Sequence, residues 1–371
     1  MSVLAAIAVL ALLIVVHEAG HFMAARLQGI HVNRFSVGFG PILWKYQGTE
    51  TEYALRAIPL GGFVGFPDDD PDSNIPAHDP DLMKNRPVLD RAIVISAGVI
   101  ANLIFAYLIF VVEFAGLGIP EEHYDPGVVI ADVMAVDSPA AQAGLQANDL
   151  VIAVNGTTLA TGTPAMDELQ QVIKRSPNQS VSLTIERERQ RSVIQVVPRS
   201  ANNDGVARIG VGLQANGGVV KGENGLALRR RPNSVSEILR VSALEFQALV
   251  SMTVKGFVTL VTNFSEMSGQ VAGPVRIVEQ GAQFAKTDLS YLFPFTAIIS
   301  INLAIINILP LPALDGGQLA FLMVEAMRGR PLPMRLQENV MQTGLFLILG
   351  LGIFLIVRDT TQLEVVQNLF Q

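Results

Sequence analysis

The feature that most constrains this chain is the pentad His17-Glu18-Ala19-Gly20-His21, which ends an uncharged apolar run from Val3 to Val16. Two histidines four residues apart on a helix project from the same face, so both imidazoles can bind one Zn²⁺. Glu18 lies beside them and can accept a proton from an attacking water molecule. The alternative is a pair of core histidines with ordinary hydrogen-bond partners. Ionisable groups within a membrane helix are costly and typically mark function, so the location favours a metal site.

The composition indicates a membrane protein. Hydrophobic residues make up 50% of the 371 residues, and charged residues only 16%. The net charge of −7 gives no electrostatic basis for binding nucleic acid. Cysteine is absent, which excludes disulfides, thiolate ligands and a cysteine nucleophile. Any metal must therefore be bound by His, Asp or Glu.

Four apolar segments predict transmembrane helices, because three further runs follow the first, at 92–118, 289–312 and 340–357. The basic residues between runs one and two, and between runs three and four, predict that both of these loops are cytoplasmic. The part of the chain between runs two and three then lies outside. A helical pattern over 234–265 predicts an amphipathic helix that packs on the bundle or lies at the membrane interface.

Residues 32–66 predict β-strands, since apolar residues alternate there and glycines interrupt them. One interpretation is a small soluble hairpin. The other is a hairpin that dips toward the membrane beside the metal, where its edge can pair with another chain.

Residues 124–215 predict a soluble α/β domain, with short β-rich segments and one helical stretch. The segments 137–145 and 149–156 resemble the core of bacterial PDZ domains. Asn148 stands where that family usually has Gly, and Asn tolerates a left-handed turn. PDZ domains often bind a peptide as an added strand. A domain that serves only as a steric plug is the alternative, and the sequence leaves both open.

Asp315 is the candidate for the third ligand, since a catalytic zinc needs three protein ligands and one open position. It follows an apolar segment in which Pro310 and Pro312 break the helix and can turn Asp315 inward. A lone aspartate there is costly unless it meets a cation. From this segment alone, a helix-capping aspartate is an equal alternative. The pentad in the same chain favours the ligand.

The pentad and the segment NILPLPALDGG (307–317) together resemble the site-2 protease family of intramembrane zinc metalloproteases. The PDZ-like segments, Gly38–Pro41, 59–62 and 272–275 narrow the resemblance to the regulator-of-sigma-E protease type. The best-known members have two tandem PDZ domains, whereas this chain has room for one.

The resemblance implies a zinc metalloendopeptidase with His17, His21 and Asp315 as ligands and Glu18 as general base. It also implies that Asn307 and Asn302 contact the substrate backbone or stabilise the oxyanion. Hydrogen bonding between helices is the alternative for both asparagines. The implied substrates are single-span membrane proteins already trimmed by another protease, such as anti-sigma factors, and also remnant signal peptides.

The predicted architecture is a multi-pass α-helical membrane protein with four transmembrane helices, a membrane-associated β-hairpin and one inserted PDZ domain. The predicted parts are an N-terminal membrane part (1–118), the PDZ domain (124–215), an amphipathic linker (216–286) and a C-terminal membrane part (287–371). The expected location is the bacterial inner membrane, with the PDZ domain extracytoplasmic. The lipid bilayer and membrane-protein substrates are the expected partners, without nucleic acid.

Two other functions stay open, a membrane PDZ scaffold with a structural metal and a metal transporter. Glu18 argues against the scaffold, because it is not a ligand and has no structural role there. A transporter would need several ionisable residues along its spans, and the second and fourth runs offer only Glu113.

Overall fold

The computed structural model describes residues 2–70, 73–134, 137–200, 206–222, 226–264 and 271–362. The chain divides into two compact units. The helical unit comprises Met1–Leu117 and Pro232–Gln371, and the second unit comprises Gly118–Arg231.

The helices of the two units follow one another in the chain as α1 (Ser2–Leu27), α2 (Val88–Gly116), α3 (Pro139–Ala143), α4 (Thr163–Lys174), α5 (Val235–Thr262), α6 (Pro274–Thr287), α7 (Leu292–Ile308), α8 (Asp315–Arg328) and α9 (Met334–Gln362). Of these helices, only α3 and α4 belong to the second unit.

Among the described residues, five helical segments are long and apolar enough to cross a membrane. They are Ser2–Leu27, Val88–Gly116, Val235–Thr262, Leu289–Ile308 and Met334–Thr361. The four predicted spans are among them, and the additional one is α5, which the sequence predicted to be an amphipathic helix. The predicted count of four spans is therefore not confirmed by length and composition. Helix α5 has 28 residues and a wide apolar face. A helix of this length and pattern can cross a membrane or lie at its interface.

Helix α2 runs antiparallel to α1, whereas α7 runs parallel to α1. His21 meets Val94 near the start of α2, and His17 meets Asn102 two turns further along. The start of α7 is level with the start of α1, since a Cβ on Gly281 would contact both Ala6 and Phe295. The chain that leaves α7 returns to the level of the two histidines, where Asp315 begins α8.

The strands complete the element order. They are β1 (Arg34–Gln47), β2 (Glu52–Gly65), β3 (Ile119–Pro120), β4 (Glu122–Val133), β5 (Leu150–Val154), β6 (Thr157–Thr158), β7 (Val181–Arg187), β8 (Gln190–Val196), β9 (Arg199–Ser200), β10 (Ala207–Arg208), β11 (Val211–Val219) and β12 (Arg229–Arg230).

The hairpin of β1 and β2 confirms the strands predicted for 32–66, and it folds back on itself. Residues 34–37 pair with 62–65 on one side and with 52–55 on the other. Residues 44–47 pair with the outer side of 52–55. The two long strands therefore behave as four short ones, and segment 62–65 forms one outer edge of the described sheet.

The second unit is wider than the predicted domain of 124–215. Its two-residue strands β3 and β12 pair antiparallel and close the unit at Gly118 and Arg231. Residues 216–231, predicted as part of a linker, therefore belong to this unit. Its main sheet is antiparallel in the order β11-β4-β5-β7-β8, with β6 paired to β5.

The core of the second unit is aliphatic and fully buried, with Val128, Val151 and Leu183 among its members. Asn148 has a φ of 69°, which confirms that Asn adopts the left-handed turn there. The neighbouring Asp149 is buried and accepts two hydrogen bonds from Arg187, at 2.6 and 2.7 Å. Burial raises the pKa of Asp149, but hydrogen bonds from Arg187 and the Gln146 amide outweigh it and lower the pKa overall.

Candidate metal centre and active site

Three side chains predicted as ligands meet at one point of the helical unit. His17 and His21 come from the second half of α1, and Asp315 is the first residue of α8. Asp315 reaches them because the chain bends between Ile308 and Asp315, where Ala313 has a φ of 70°. The prolines of this segment end α7 as the sequence predicted.

The facing atoms have the spacing of metal ligands. The Nε2 atoms of His17 and His21 are 3.2 Å apart, and they lie 3.2 and 3.4 Å from Oδ2 of Asp315. A tetrahedral zinc ion with ligands at about 2.0–2.1 Å separates them by about 3.3–3.4 Å. Oδ2 of Asp315 is buried and has no hydrogen-bond partner among the described residues. A buried carboxylate oxygen with this surrounding fits a cation, so the donor set suits Zn²⁺.

The Nδ1 atoms of both histidines, which do not take part in the three-atom cluster, face α2. Nδ1 of His21 lies 2.9 Å from the backbone oxygen of Val94. Nδ1 of His17 lies 3.3 Å from the side-chain amide of Asn102. Helix α2 therefore supplies a partner to the Nδ1 atom of each ring, as expected of groups that orient metal ligands.

Gly98 allows α2 to approach the histidines closely. A Cβ at this position would lie 2.3 Å from Nε2 of His21 and 2.8 Å from Cε1 of His17. Such distances are far inside van der Waals contact, so a side chain here would displace the rings.

Glu18 lies beside the cluster and next to the hairpin. A Cβ on Gly62 would lie 3.0 Å from Cγ of Glu18 and 3.4 Å from Ile14. The outer segment 62–65 of the hairpin thus passes directly beside Glu18, on the same helix as the two histidines.

A family comparison is consistent with this geometry. The model of peptidase family M50 matches residues 5–351. The chain belongs to this family. It is a zinc metalloprotease of the site-2 protease type.

Relatives of this M50 protease are similar over nearly its whole length. A Nostoc sp. protein named as a zinc metalloprotease is 58% identical over 376 residues, covering 100% of both chains. The membrane metalloprotease ARASP, chloroplastic, of Arabidopsis thaliana is 47% identical, covering 99% of this chain and 80% of its own. The regulator of sigma-E protease RseP of Escherichia coli is 27% identical, covering 94% and 96%.

Among solved structures, the PDZ domain of an SdrC-like protein from Listeria monocytogenes is 22% identical, with a TM-score of 0.21. It covers 24% of this chain and 86% of its own. The M50 protease is an integral membrane protein.

The two asparagines predicted to contact substrate lie in different surroundings. Asn302 lines a largely apolar cavity of about 1010 Å³ between α1, α5, α6 and α7. Ile14, one turn before Glu18, lines the same cavity. Asn307 is half-buried and does not line it. Five residues apart on one helix, the two side chains point about 140° apart, so the structure does not bring them together.

Sequence reasoning missed two residues of this M50 protease that contact the histidines, Gly98 and Asn102. Asn102 interrupts the second apolar run, and that signal favoured a polar contact between helices. Gly98 lies four residues earlier, on the same face of α2. A glycine and an asparagine four residues apart in an apolar run therefore indicate a helix face that can pack closely against metal-binding histidines.

Proposed function

We propose that His17, His21 and Asp315 hold the catalytic zinc and that Glu18 is the general base of peptide hydrolysis. The observation that carries this proposal is the convergence of three donor atoms at 3.2 to 3.4 Å from one another. When bound, zinc acidifies a water molecule and polarises the scissile carbonyl.

Glu18 accepts the proton of the attacking water and later delivers it to the leaving amine. Its position next to the ligands on α1 suits this role, and none of the three ligand contacts involves its carboxylate. We assign Asn302 to the substrate backbone or the oxyanion because it lines the cavity near Ile14. The same role for Asn307 is supported by the family resemblance alone.

The hairpin offers a way to present the substrate. A helical substrate hides its backbone in its own hydrogen bonds, so it must unwind before hydrolysis. Segment 62–65 pairs with 34–37 on one side, and in the described sheet no strand pairs with its other side. A substrate strand added there would regain hydrogen bonds beside Glu18. The apolar cavity lined by α1, α5 and α7 would hold the adjoining part of the substrate helix.

Four membrane spans fit the directions of the helices better than five. Because α2 is antiparallel to α1 and α7 is parallel to it, α2 ends on the side where α7 begins. The chain between them must therefore cross the membrane an even number of times. Helix α6 has 14 residues, or about 21 Å, which is too short to cross a hydrocarbon core of about 30 Å. A single crossing by α5 would give an odd number of crossings between α2 and α7. We therefore propose that α5 stays on one side of the membrane.

The basic loops support the orientation predicted from the sequence. Arg328 ends α8 and Arg330 follows it, while Lys84 and Arg86 precede α2, on the side where the histidines lie. We propose the bacterial inner membrane, with this side cytoplasmic and the PDZ domain extracytoplasmic. The proposed substrates are single-span proteins already trimmed by another protease, such as anti-sigma factors, and remnant signal peptides.

The test is the variant Glu18→Gln, which keeps the shape of the side chain and removes the proton acceptor. We expect one zinc per chain and a loss of cleavage of at least about a hundredfold, measured on a single-span substrate in bilayers. The exposed residue Glu338 provides the control, since Glu338→Gln should keep full activity. Substantial activity in Glu18→Gln would assign the base elsewhere.

The same variant can capture substrates, because it binds them without cleavage. Single-span proteins should remain bound to Glu18→Gln. Capture of multi-span proteins alone would contradict the proposed substrate class without touching the assignment of the base.

A further inference from the structure

We propose that Asn102 is a positioning residue that holds His17 in the zinc-binding form by accepting a hydrogen bond from Nδ1 of His17. The inference rests on the proposed function, since it takes His17 as a ligand. It assigns a task to a residue of α2 that neither binds the metal nor touches the substrate.

The side chain of Asn102 is energetically unfavourable at its position unless it has a hydrogen-bond partner there. It is fully buried in α2, and its side-chain oxygen has no hydrogen-bond partner among the described residues. Its amide group lies 3.3 Å from Nδ1 of His17. Leaving a buried amide oxygen without a partner is unfavourable, so the residue requires an explanation.

Attachment of α2 to α7 does not explain the amide. One hydrogen bond between these helices is made by Ser300, whose hydroxyl donates to the backbone oxygen of Asn102 at 2.8 Å. Any residue at this position would offer the same backbone oxygen. The side chain of Asn102 therefore takes no part in the hydrogen bond to Ser300, and its amide contacts His17 instead.

The chemistry of metal binding decides which amide atom faces the ring. A ring nitrogen that binds a metal carries no hydrogen, so Nε2 of a zinc-bound His17 is bare and Nδ1 carries the hydrogen. That hydrogen needs an acceptor, and an amide NH₂ cannot accept. The oxygen and the nitrogen of an asparagine amide can exchange places when the group is turned by 180°. Which of them faces a neighbour is therefore assigned from the hydrogen-bond network. The zinc-binding form of His17 therefore selects the orientation in which Oδ1 of Asn102 faces Nδ1.

His21 shows the same arrangement with a backbone partner. Its Nδ1 lies 2.9 Å from the carbonyl oxygen of Val94, which can only accept. Helix α2 thus supplies one acceptor to each histidine, from the backbone for His21 and from a side chain for His17. Only the acceptor for His17 can be changed by substitution.

Two isosteric variants test the proposal in the full-length protein. Asn102→Asp keeps an acceptor and removes the donor, whereas Asn102→Leu removes both. We measure zinc affinity by competition with a chromophoric chelator, and the visible spectrum of the cobalt-substituted protein. Loss of a group that orients a ligand typically weakens metal binding about 10- to 100-fold, and we expect this of Asn102→Leu, with an altered cobalt spectrum. Asn102→Asp should bind zinc at least as tightly as the unchanged protein.

Ser300→Ala controls for loosened packing, because it removes the hydrogen bond from Ser300 to the backbone of α2 and leaves the Asn102 amide in place. It should keep the zinc affinity and the cobalt spectrum. Zinc loss in Asn102→Asp equal to that in Asn102→Leu would overturn the proposal, since it would show that the donor matters. If Asn102→Leu fails to fold, Asn102→Asp decides alone: zinc affinity equal to that of the unchanged protein supports the proposal, and a loss of about 10-fold or more overturns it.

His17→Ala separates this proposal from the proposed function. If His17→Ala loses zinc while Asn102→Leu keeps normal affinity, the role of Asn102 is wrong and the ligand set stands. If His17→Ala keeps one zinc with normal affinity, the ligand set fails, and the role of Asn102 fails with it.

Discussion

The two units of this M50 protease differ in which residues they expose and in which polar residues they bury. In the second unit, which the sequence predicts to be a PDZ domain, aliphatic side chains such as Val151 and Leu183 are fully buried. In the helical unit, Phe346 and Leu347 of α9 are 73% and 69% exposed, while the polar residues Asn102 and Ser300 are fully buried. Lipid surrounds the helical unit, so outward apolar groups cost little there. The polar groups face inward, and Asn102 contacts His17, a proposed zinc ligand.

This difference changes what a substitution should do. Stability of the PDZ domain depends on aliphatic packing, whereas the metal site depends on close contacts of small and polar residues. We therefore expect the largest effects on activity in the helical unit and the largest effects on stability in the PDZ domain.

The largest effect should come from Gly98→Ala. The added methyl group would lie 2.3 Å from Nε2 of His21, so the ring must move out of the ligand position. A misplacement of about 1 Å can reduce catalysis about a hundredfold, and we expect that loss of cleavage together with weaker zinc binding. Gly116 lies at the end of the same helix and has nothing within 4 Å of an added Cβ. Gly116→Ala should therefore keep activity, and unchanged cleavage in Gly98→Ala would show that the rings do not need this close contact.

Leucine-to-alanine substitutions should destabilise the two units unequally. Leu183→Ala creates a cavity in the PDZ core and should lower the free energy of unfolding by about 2–5 kcal/mol. Leu347→Ala removes a group that faces lipid and should change it by less than about 0.5 kcal/mol. Limited proteolysis of the full chain in bilayers against temperature, with the cut sites mapped, measures both. Equal effects would contradict the view that lipid covers this face of α9.

Arg187→Leu should destabilise the PDZ domain in a pH-dependent way. It leaves the buried Asp149 without its ion-pair partner and should cost about 2 kcal/mol, less than a fully buried pair because Arg187 is 36% exposed. The pKa of Asp149 is lowered in the folded protein. The pair therefore stabilises fully above the unfolded pKa of about 4 and is lost as pH falls through the lower folded pKa.

Thermal unfolding of a fragment of residues 118–231, first shown to be folded, measures this between pH 7 and pH 2.5. The difference between the fragment and its Arg187→Leu variant should be constant from pH 7 to about pH 5 and shrink below pH 4. Arg191→Leu breaks an exposed pair with Glu186 and should change little at any pH. A difference that grows as the pH falls would contradict the assignment.

The sequence predicted which side chains converge better than it predicted their surroundings. The pentad and Asp315 stood out because ionisable residues are rare in apolar segments, and their meeting follows from the break at Pro310 and Pro312. The contacts of Gly98 and Asn102 depend on how α2 is rotated against α1. Helical periodicity shows that a run is apolar, but it does not show which of its faces meets a ligand.

Other differences have similar physical causes. Strands β3 and β12 have two residues each and pair across the whole second unit, so no alternation in the sequence reveals them. The number of spans was uncertain at α5, since an apolar face looks the same whether lipid or a neighbouring helix covers it.

The zinc content of Asp315→Ala tests the central claim most directly. Asp315 is the only proposed ligand outside α1, and its place in the site depends on the fold of the whole helical unit. We expect metal analysis of the purified variant to give almost no zinc, against one zinc per chain in the unchanged protein. Asp90 of α2, a partly exposed carboxylate near Arg86, provides the control, since Asp90→Ala should keep its zinc. One zinc per chain in Asp315→Ala would contradict the account.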